Sequence, residues 1–399
     1  MQGQKYLKKN GLILLLIVLD MFIPLSNDMY LPALPTMLAE FQTTASILNF
    51  TIVGFFFFFA AGTLFFGPIS DKYGRKPILL NGVIVYTIAS IACAASPNVY
   101  LLILFRMLQA IGAGSLLSVS NAIVKDSFEF HERGSLLALI QIFTVLAPML
   151  SPIIGAQILK YFSWRSTFGV LAAFGIVALL ICLLFQESLP KEQTNSGNLG
   201  ELMNNFLAVG KNREFMLFLN TIGILQIPFM AYISLSSYIY INQFGLSPQQ
   251  YSYFLSANTI FLAIGGVLYM KFHKYIKPIR LITTSLFLII LSGLLMYFFG
   301  KVSPFVFLII FVPFVLTSSM MRPCNANILL NQQEKDAGSA SSLIGSVFFF
   351  WGVIGLSLAS YKWSNYINGI AIMMVLCTFV SSILWILLLK SKKTLKGLE

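Results

Sequence analysis

Apolar residues run along this chain in continuous stretches of about 20 residues, separated by short polar segments. A helix of that length crosses the hydrocarbon core of a bilayer, whereas a membrane-spanning barrel strand alternates polar and apolar positions. The pattern therefore predicts an all-α integral membrane protein with twelve transmembrane helices. The predicted spans are 11–32, 45–67, 77–96, 99–122, 133–157, 165–186, 215–241, 249–270, 278–299, 304–330, 338–361 and 366–389.

The longest polar stretch, residues 187–214, falls between the sixth and seventh predicted spans. It predicts two six-helix bundles, at residues 1–190 and 213–399, joined by a linker at residues 191–212. Paired bundles built from internal repeats are a known plan for membrane transporters.

The composition fits a lipid environment, because 57% of the residues are hydrophobic and only 10% are charged. Soluble domains carry about 25% charged residues. The net charge of +12 would suggest nucleic acid in a soluble protein, but here the loops account for it. Twenty of the 26 Lys and Arg residues fall in the termini and the loops on their side, against four in the loops of the other side. This bias predicts that both termini are cytoplasmic.

Signatures of enzyme chemistry are missing from the sequence. It contains no phosphate-binding loop, no paired His/Glu metal motif and no soluble catalytic domain. The four cysteines lie inside apolar stretches, and neither histidine lies in a predicted span. We therefore expect a protein that is not an enzyme and that needs no cofactor, no metal and no ATP.

The segment after the second predicted span reads GPISDKYGRK and contains Gly67, Asp71, Gly74 and Arg75. It matches G-x-x-x-D-[RK]-x-G-[RK]-[RK] at every defined position. The chain thus resembles the major facilitator superfamily, whose loop signature this is. The resemblance implies that these residues latch the cytoplasmic helix ends and bias the conformational cycle.

Two further segments resemble signatures of the same superfamily. Span 4 carries Arg106 and Gln109 in RMLQAIGAG, similar to the R-x-x-Q-x-x-G-x-G signature. Span 5 carries Pro148, Pro152 and Gly155 in APMLSPIIG, similar to the antiporter signature of drug exporters. Prolines inside a helix remove backbone donors and bend it, and a glycine lets a neighbouring helix pack closely. An ordinary kinked helix is the alternative interpretation.

Span 1 carries two acids, Asp20 and Asp28, eight residues apart. The string DMYLPALP, which begins at Asp28, resembles the Bcr/CflA branch of multidrug exporters. A second acid at the spacing of Asp20 resembles the MdfA-type multidrug/proton antiporter.

Four charges lie at predicted membrane depth: Asp20, Asp28, Arg106 and Arg322. Each is costly alone, so we expect pairing between the acids and Arg106. The two acids are about 12 Å apart along an ideal helix and about 80° apart around it, which lets them face one cavity. Our hypothesis makes Asp28 the main proton site, Asp20 a second acid for protons or substrate cations, and Arg106 the group that tunes both. A permanent Asp–Arg pair that only fixes helix packing is the alternative.

Polar or adaptable side chains in otherwise apolar spans are candidates for the substrate cavity. Each one can instead form a local hydrogen bond between helices. For the arginine among them, a substrate-carboxylate site and a side chain that extends to water remain equal alternatives. The candidates are Asn27, Tyr30, Gln109, Gln141, Gln226, Met230, Tyr238, Asn258, Arg322 and Asn325.

Together these features predict a proton-coupled exporter of small amphiphilic molecules, of the multidrug efflux kind, working by alternating access. A dedicated exporter of one metabolite, such as a siderophore-like or an anionic or zwitterionic compound, is the alternative. The expected partners are a small-molecule substrate, protons and the lipid bilayer, without nucleic acid. We expect a monomer in a bacterial cytoplasmic membrane.

Overall fold

A computed structural model describes residues 6–189, 210–273, 275–332 and 337–391. Over these ranges the chain forms helices and turns, without a strand. Eleven helical segments of the described chain are long and apolar enough to cross a membrane, and Leu343–Ala359 is a shorter apolar stretch of a further helix. The predicted all-α membrane fold is therefore confirmed.

The chain divides into two compact units, Met1–Leu199 and Gly200–Glu399. Most of the predicted linker lies outside the described residues. The helices of the first unit are α1 (Lys8–Asp28), α2 (Leu34–Glu40), α3 (Ala45–Tyr73), α4 (Arg75–Ala94), α5 (Val99–Ser127), α6 (Phe130–Tyr161) and α7 (Arg165–Leu184). Those of the second unit are α8 (Arg213–Gly223), α9 (Gln226–Ser237), a π-helix (Tyr238–Gln243), α10 (Pro248–Phe272), α11 (Pro278–Phe299), α12 (Pro304–Asn331), α13 (Ala337–Ala359) and α14 (Tyr366–Leu389).

The first predicted span is not one helix to its end. α1 stops at Asp28, a 3-10 turn follows at Leu31–Ala33, and α2 begins at Leu34. Pro32 and Pro35 occupy first-turn positions of these two elements, where a missing N–H costs nothing. Because α1 ends inside the unit, its last carbonyl groups need partners from elsewhere.

In the first unit α5 packs against both α3 and α4. Two glycines of the span 4 signature make this possible. A Cβ at Gly112 would lie 2.8 Å from the carbonyl oxygen of Gly82 in α4, and one at Gly114 would lie 2.6 Å from that of Phe59 in α3. Contacts this close exclude a side chain at either position, so the backbone of α5 touches both neighbours.

The seventh predicted span is also divided in the structure. α8 and α9 are separate helices, and the chain then continues into the π-helix at Tyr238–Gln243. Aromatic rings stack on this segment. The ring centroids of Tyr232 and Phe311 are 4.1 Å apart, and those of Tyr240 and Phe254 are 4.8 Å apart. Within the second unit α9 packs on α13, and α10 packs on α12.

Candidate functional site

Arg106 of α5 is fully buried among three aromatic rings. Its guanidinium carbon lies 4.1 Å from the ring centroid of Phe55, 4.6 Å from that of Tyr30 and 5.9 Å from that of Phe168. The face of an aromatic ring attracts a cation, and the attraction is stronger where water is excluded. The rings come from α3, from the turn after α1 and from α7, so Arg106 connects these parts of the unit.

Hydrogen bonds tie the same guanidinium to the end of α1. Nη1 of Arg106 donates to the carbonyl oxygen of Ser26 at 2.9 Å and to Oε1 of Gln109 at 2.6 Å. Nε2 of Gln109 donates in turn to Oγ of Ser90 at 2.7 Å. The Ser26 carbonyl is one of the last four of α1, so Arg106 lies at the negative end of that helix dipole. Nε and Nη2 of Arg106 are buried without a hydrogen-bond partner.

The predicted ion pair between Arg106 and the acids of α1 is not formed. In the described part of the chain, the ion pairs join other groups. Nδ2 of Asn27 donates to Oδ1 of Asp28 at 2.8 Å. Asp20 interacts with the hydroxyl of Ser120 in α5, and its Oδ1 is buried without a hydrogen bond. A helix end and aromatic faces, rather than a carboxylate, stabilise the buried guanidinium here.

Three predicted substrate residues, Asn27, Tyr30 and Gln109, are buried with at most 3% of their surface exposed, and Tyr30 and Gln109 contact Arg106 directly. The Tyr30 hydroxyl is 3.1 Å from Oγ1 of Thr51. The sequence interpretation missed Tyr86 of α4, whose hydroxyl is 2.6 Å from that of Ser26. The signal that could have identified Tyr86 in the sequence is a single tyrosine in an otherwise apolar span. Substrate binding by the three predicted residues stays a prediction.

The proline-containing helix α6 touches the acid-bearing end of α1. Pro148 and Pro152 both lie inside α6. A Cβ at Gly155 would overlap the carbonyl oxygen of Met29, the residue directly after Asp28. The antiporter-like segment therefore packs against the main chain beside the proposed proton site.

A second cluster, the Arg75 latch, lies at the end of the unit where α3 meets α4. Arg75 is 4% exposed, and its Nη2 lies 2.5 Å from Oδ1 of Asp71. Its Nε donates to Oδ2 of Asp126 at 2.9 Å, and its Nη1 donates to Oγ of Ser70 at 2.6 Å. The latch thus joins α3, α4 and α5. The predicted fourth span ended at 122, which left Asp126 out of the sequence interpretation, whereas α5 continues to Ser127.

The glycines of this signature have separate geometric tasks. Gly74 joins α3 to α4 with φ +94°, a conformation that residues with a side chain rarely adopt. A Cβ at Gly67 would lie 3.1 Å from Oγ of Ser118, so this glycine lets α3 approach α5.

At the opposite end of the unit, Glu40, Trp164 and Arg165 form a cluster that we call the Trp164 clamp, with Glu40 at its centre. Glu40 accepts a hydrogen bond from Nε1 of Trp164 at 2.6 Å and pairs with Arg165. Nη2 of Arg165 also donates to the carbonyl oxygen of Ser96 at 3.3 Å. The clamp joins α2, the α4–α5 turn and the start of α7.

The predicted residues of the second unit are spread over several helices. Gln226 and Met230 are half-buried on α9, and Tyr238 is buried at the start of the π-helix. Nδ2 of Asn258 donates to the hydroxyl of Tyr232 at 2.5 Å, while its Oδ1 is buried without a hydrogen bond. These contacts connect α9 with α10.

Arg322 is exposed on α12, with its guanidinium 5.5 Å from the ring centroid of Phe229. None of the described residues forms an ion pair with it. Asn325, one turn on, is buried and its Oδ1 has no hydrogen-bond partner. The side chain of Gln141 lies outside the described residues.

The profile of the Major Facilitator Superfamily matches residues 16–356. This chain belongs to the major facilitator superfamily. It is 30% identical over 373 residues to an uncharacterized MFS-type transporter, YdgK, of Bacillus subtilis (strain 168), which covers 92% of each chain. It is 28% identical over 354 residues to a bicyclomycin resistance protein homolog of Haemophilus influenzae, covering 88% of this chain and 89% of that protein.

Solved structures show the same fold for this major facilitator. A bacterial homolog to the human lysosomal transporter Spinster, crystallised in an inward-facing and occupied conformation, aligns with a TM-score of 0.77 at 13% identity. The alignment covers 97% of this chain and 98% of that chain. Membership of this superfamily, together with its long apolar helices, makes the chain a multi-pass membrane transporter.

Proposed function

We propose that this transporter exports small amphiphilic molecules in exchange for protons, as a multidrug efflux antiporter of the Bcr/CflA branch with an MdfA-like pair of acids on α1. One observation carries the proposal. Arg106 donates to the carbonyl oxygen of Ser26, which is only two residues before Asp28, and its Nε and Nη2 groups make no hydrogen bond. The relation to a bicyclomycin resistance protein homolog supports drugs as cargo.

The arrangement suggests how a proton is held and released. A charged carboxylate without a cationic partner is costly at membrane depth, so Asp28 carries a proton while Arg106 contacts Ser26. When Arg106 turns to Asp28 with its unused Nε and Nη2, the carboxylate is stabilised and the proton leaves. Asp20 is the second acid, available to a proton or to a cationic cargo.

The packing around α1 provides a route from this exchange to a conformational change. Because Gly155 rests on the main chain of Met29, a shift at the end of α1 displaces α6 as well. The Arg75 latch, with Gly67 and Gly74 around it, lies at the cytoplasmic end, with both termini on that side. We place the protein in a bacterial cytoplasmic membrane, acting as a monomer by alternating access.

Transport by the purified protein in proteoliposomes tests the proposal. The lipophilic cation tetraphenylphosphonium is the probe, and a pH gradient of either sign is imposed. We expect uptake against its concentration gradient to follow the proton gradient and to be lost in Asp28→Asn, with probe exchange at equilibrium retained. Glu214→Gln, at the start of α8, is the matched control. Transport that ignores the pH gradient, or an Asp28→Asn variant that stays coupled, contradicts the proposal.

A second candidate function is the export of an anionic or zwitterionic compound, and Arg322 favours it. The predicted spans of the second unit contain no Asp or Glu, so its positive charge has no carboxylate partner there. A guanidinium beside the Phe229 ring, on a residue that is exposed on α12, suits an aromatic carboxylate.

Naphthylacetate, an aromatic carboxylate, tests this second candidate beside tetraphenylphosphonium. If the anion is the cargo, Arg322→Gln raises the KM for naphthylacetate about tenfold, as expected for a lost charge-assisted hydrogen bond. Arg280→Gln, at the start of α11, serves as the control. This candidate is wrong if Arg322→Gln transports naphthylacetate, like tetraphenylphosphonium, with the same kinetics as the wild type.

A further inference from the structure

Glu187 lies three residues beyond the end of α7, and its carboxylate covers the first turn of α4. Oε1 accepts a hydrogen bond from the main-chain N–H of Arg75 at 2.9 Å, and Oε2 accepts one from that of Lys76 at 3.0 Å. The first N–H groups of a helix have no partner within it, and a negative charge there is favourable. Gly74, at the N-cap position, has no side chain to fill that place, so Glu187 supplies the cap from another helix.

The carboxylate is itself held in position. Its Oε1 also accepts hydrogen bonds from the main-chain N–H groups of Ser188 and Leu189, each at 3.0 Å. Nζ of Lys76 donates to the carbonyl oxygen of Leu183 at 3.1 Å, near the end of α7. The end of α7 and the start of α4 are therefore joined in both directions.

Gly74 is shaped by this contact as well as by its turn. A Cβ at Gly74 would lie 2.6 Å from Oε2 of Glu187, closer than any real contact of that kind. The second glycine of the loop signature therefore has two separable requirements. One is the φ of +94°, and the other is the space that the carboxylate of Glu187 occupies.

We propose that Glu187 is a positioning residue of the Arg75 latch, an inference that rests on the gating role in the proposed function. It caps α4, fixes the main chain of Arg75 and so aims the guanidinium that joins Asp71 and Asp126.

A double-mutant cycle between Gly74 and Glu187 tests this assignment. The variants are Gly74→Ala, Glu187→Ala and the combination of both, in proteoliposomes. The measurement is equilibrium exchange of tetraphenylphosphonium, which needs the conformational cycle but no proton gradient. We expect Gly74→Ala to lower turnover about tenfold in the wild-type background and about threefold or less beside Glu187→Ala, because the overlap with the carboxylate is gone while the strain at φ +94° remains.

Further variants separate positioning from simple loss of structure. Glu187→Gln keeps one acceptor oxygen and should retain more turnover than Glu187→Ala, with the KM for the probe unchanged in both. Glu214→Gln again serves as the matched control, because Asn212 caps α8. A loss of coupling to pH with intact exchange kinetics would overturn only the proposed function. The Glu187 proposal is wrong if Gly74→Ala has the same fold effect in both backgrounds, or if Glu187→Ala exchanges the probe at the wild-type rate.

Discussion

Arg106 donates a 2.9 Å hydrogen bond to the main-chain carbonyl oxygen of Ser26, although two aspartates share the same helix with Ser26. The end of α1, the amide of Gln109 and three aromatic rings take the place of a counter-ion. A guanidinium stabilised in this way can turn to Asp28 without first breaking a buried ion pair. Removing one partner from a buried ion pair costs about 3–5 kcal/mol. Because Arg106 has no such pair to break, it can move reversibly between Ser26 and Asp28.

Arg106→Lys should retain the positive charge but lose most of the transport. An ammonium group can donate to Ser26, yet it lacks the planar shape that stacks on Phe55 and Tyr30 while bonding Gln109. We expect coupled uptake of tetraphenylphosphonium to fall about tenfold, equivalent to one lost charge-assisted hydrogen bond. Arg165→Lys, in the Trp164 clamp, is the matched control. Wild-type uptake in Arg106→Lys would show that charge alone is sufficient.

Asp20→Asn should alter the number of protons exchanged per probe molecule while leaving exchange itself intact. Asp20 faces Ser120 rather than Arg106, so its neutralisation leaves the Ser26 contact in place. Stoichiometry is read from the pH gradient that balances a given probe gradient. If Asp20→Asn abolished uptake as completely as Asp28→Asn, the division of roles between the two acids would be wrong.

Gly155→Ala should destabilise the contact between α6 and the end of α1. The added methyl group meets the main-chain oxygen of Met29, which cannot rotate away as a side chain can. We expect the protein to lose about 1–3 kcal/mol of stability, the usual cost of overpacking, together with most of its transport. Gly169→Ala is a control in the same unit, because nothing lies within 4 Å of a Cβ there. Equal thermal unfolding of both variants would contradict the contact.

Asp126→Asn should destabilise the protein more than Asp71→Asn does. Both carboxylates bond Arg75, but the side chain of Asp126 is 11% exposed and that of Asp71 is 43% exposed. Water screens an exposed pair, so we expect a loss of about 1–3 kcal/mol for Asp126 and under about 1 kcal/mol for Asp71. Thermal unfolding in detergent measures both. A larger loss of stability in Asp71→Asn than in Asp126→Asn would contradict the prediction that the buried carboxylate contributes more.

The length of the apolar stretches was enough to predict the fold, because lipid allows few alternatives to a helix. The end of α1 at Asp28 was harder to predict. The residues beyond it, Leu31 to Leu34, are as apolar as those before it, and hydropathy alone does not separate a helix from a buried turn. Pro32 and Pro35 carried that information, since each marks the start of a new element.

The candidate site could be predicted in its residues but not in its pairing. A count of charges identified Asp20, Asp28 and Arg106, and electrostatic balance then favoured ion pairs. Main-chain carbonyls and ring faces do not enter such a count, although here they hold Arg106. Glu187 shows the same difficulty, because an acid just after a span reads as an ordinary linker charge.

The Trp164 clamp gives the first unit an optical probe of its own. Of the four tryptophans of the chain, Trp164 is the one in the first unit, and its indole N–H is bound to the carboxylate of Glu40. Indole fluorescence responds to the charge and polarity around the ring. With the other tryptophans replaced by phenylalanine, emission from Trp164 would report whether that end of the unit opens while cargo and protons are exchanged.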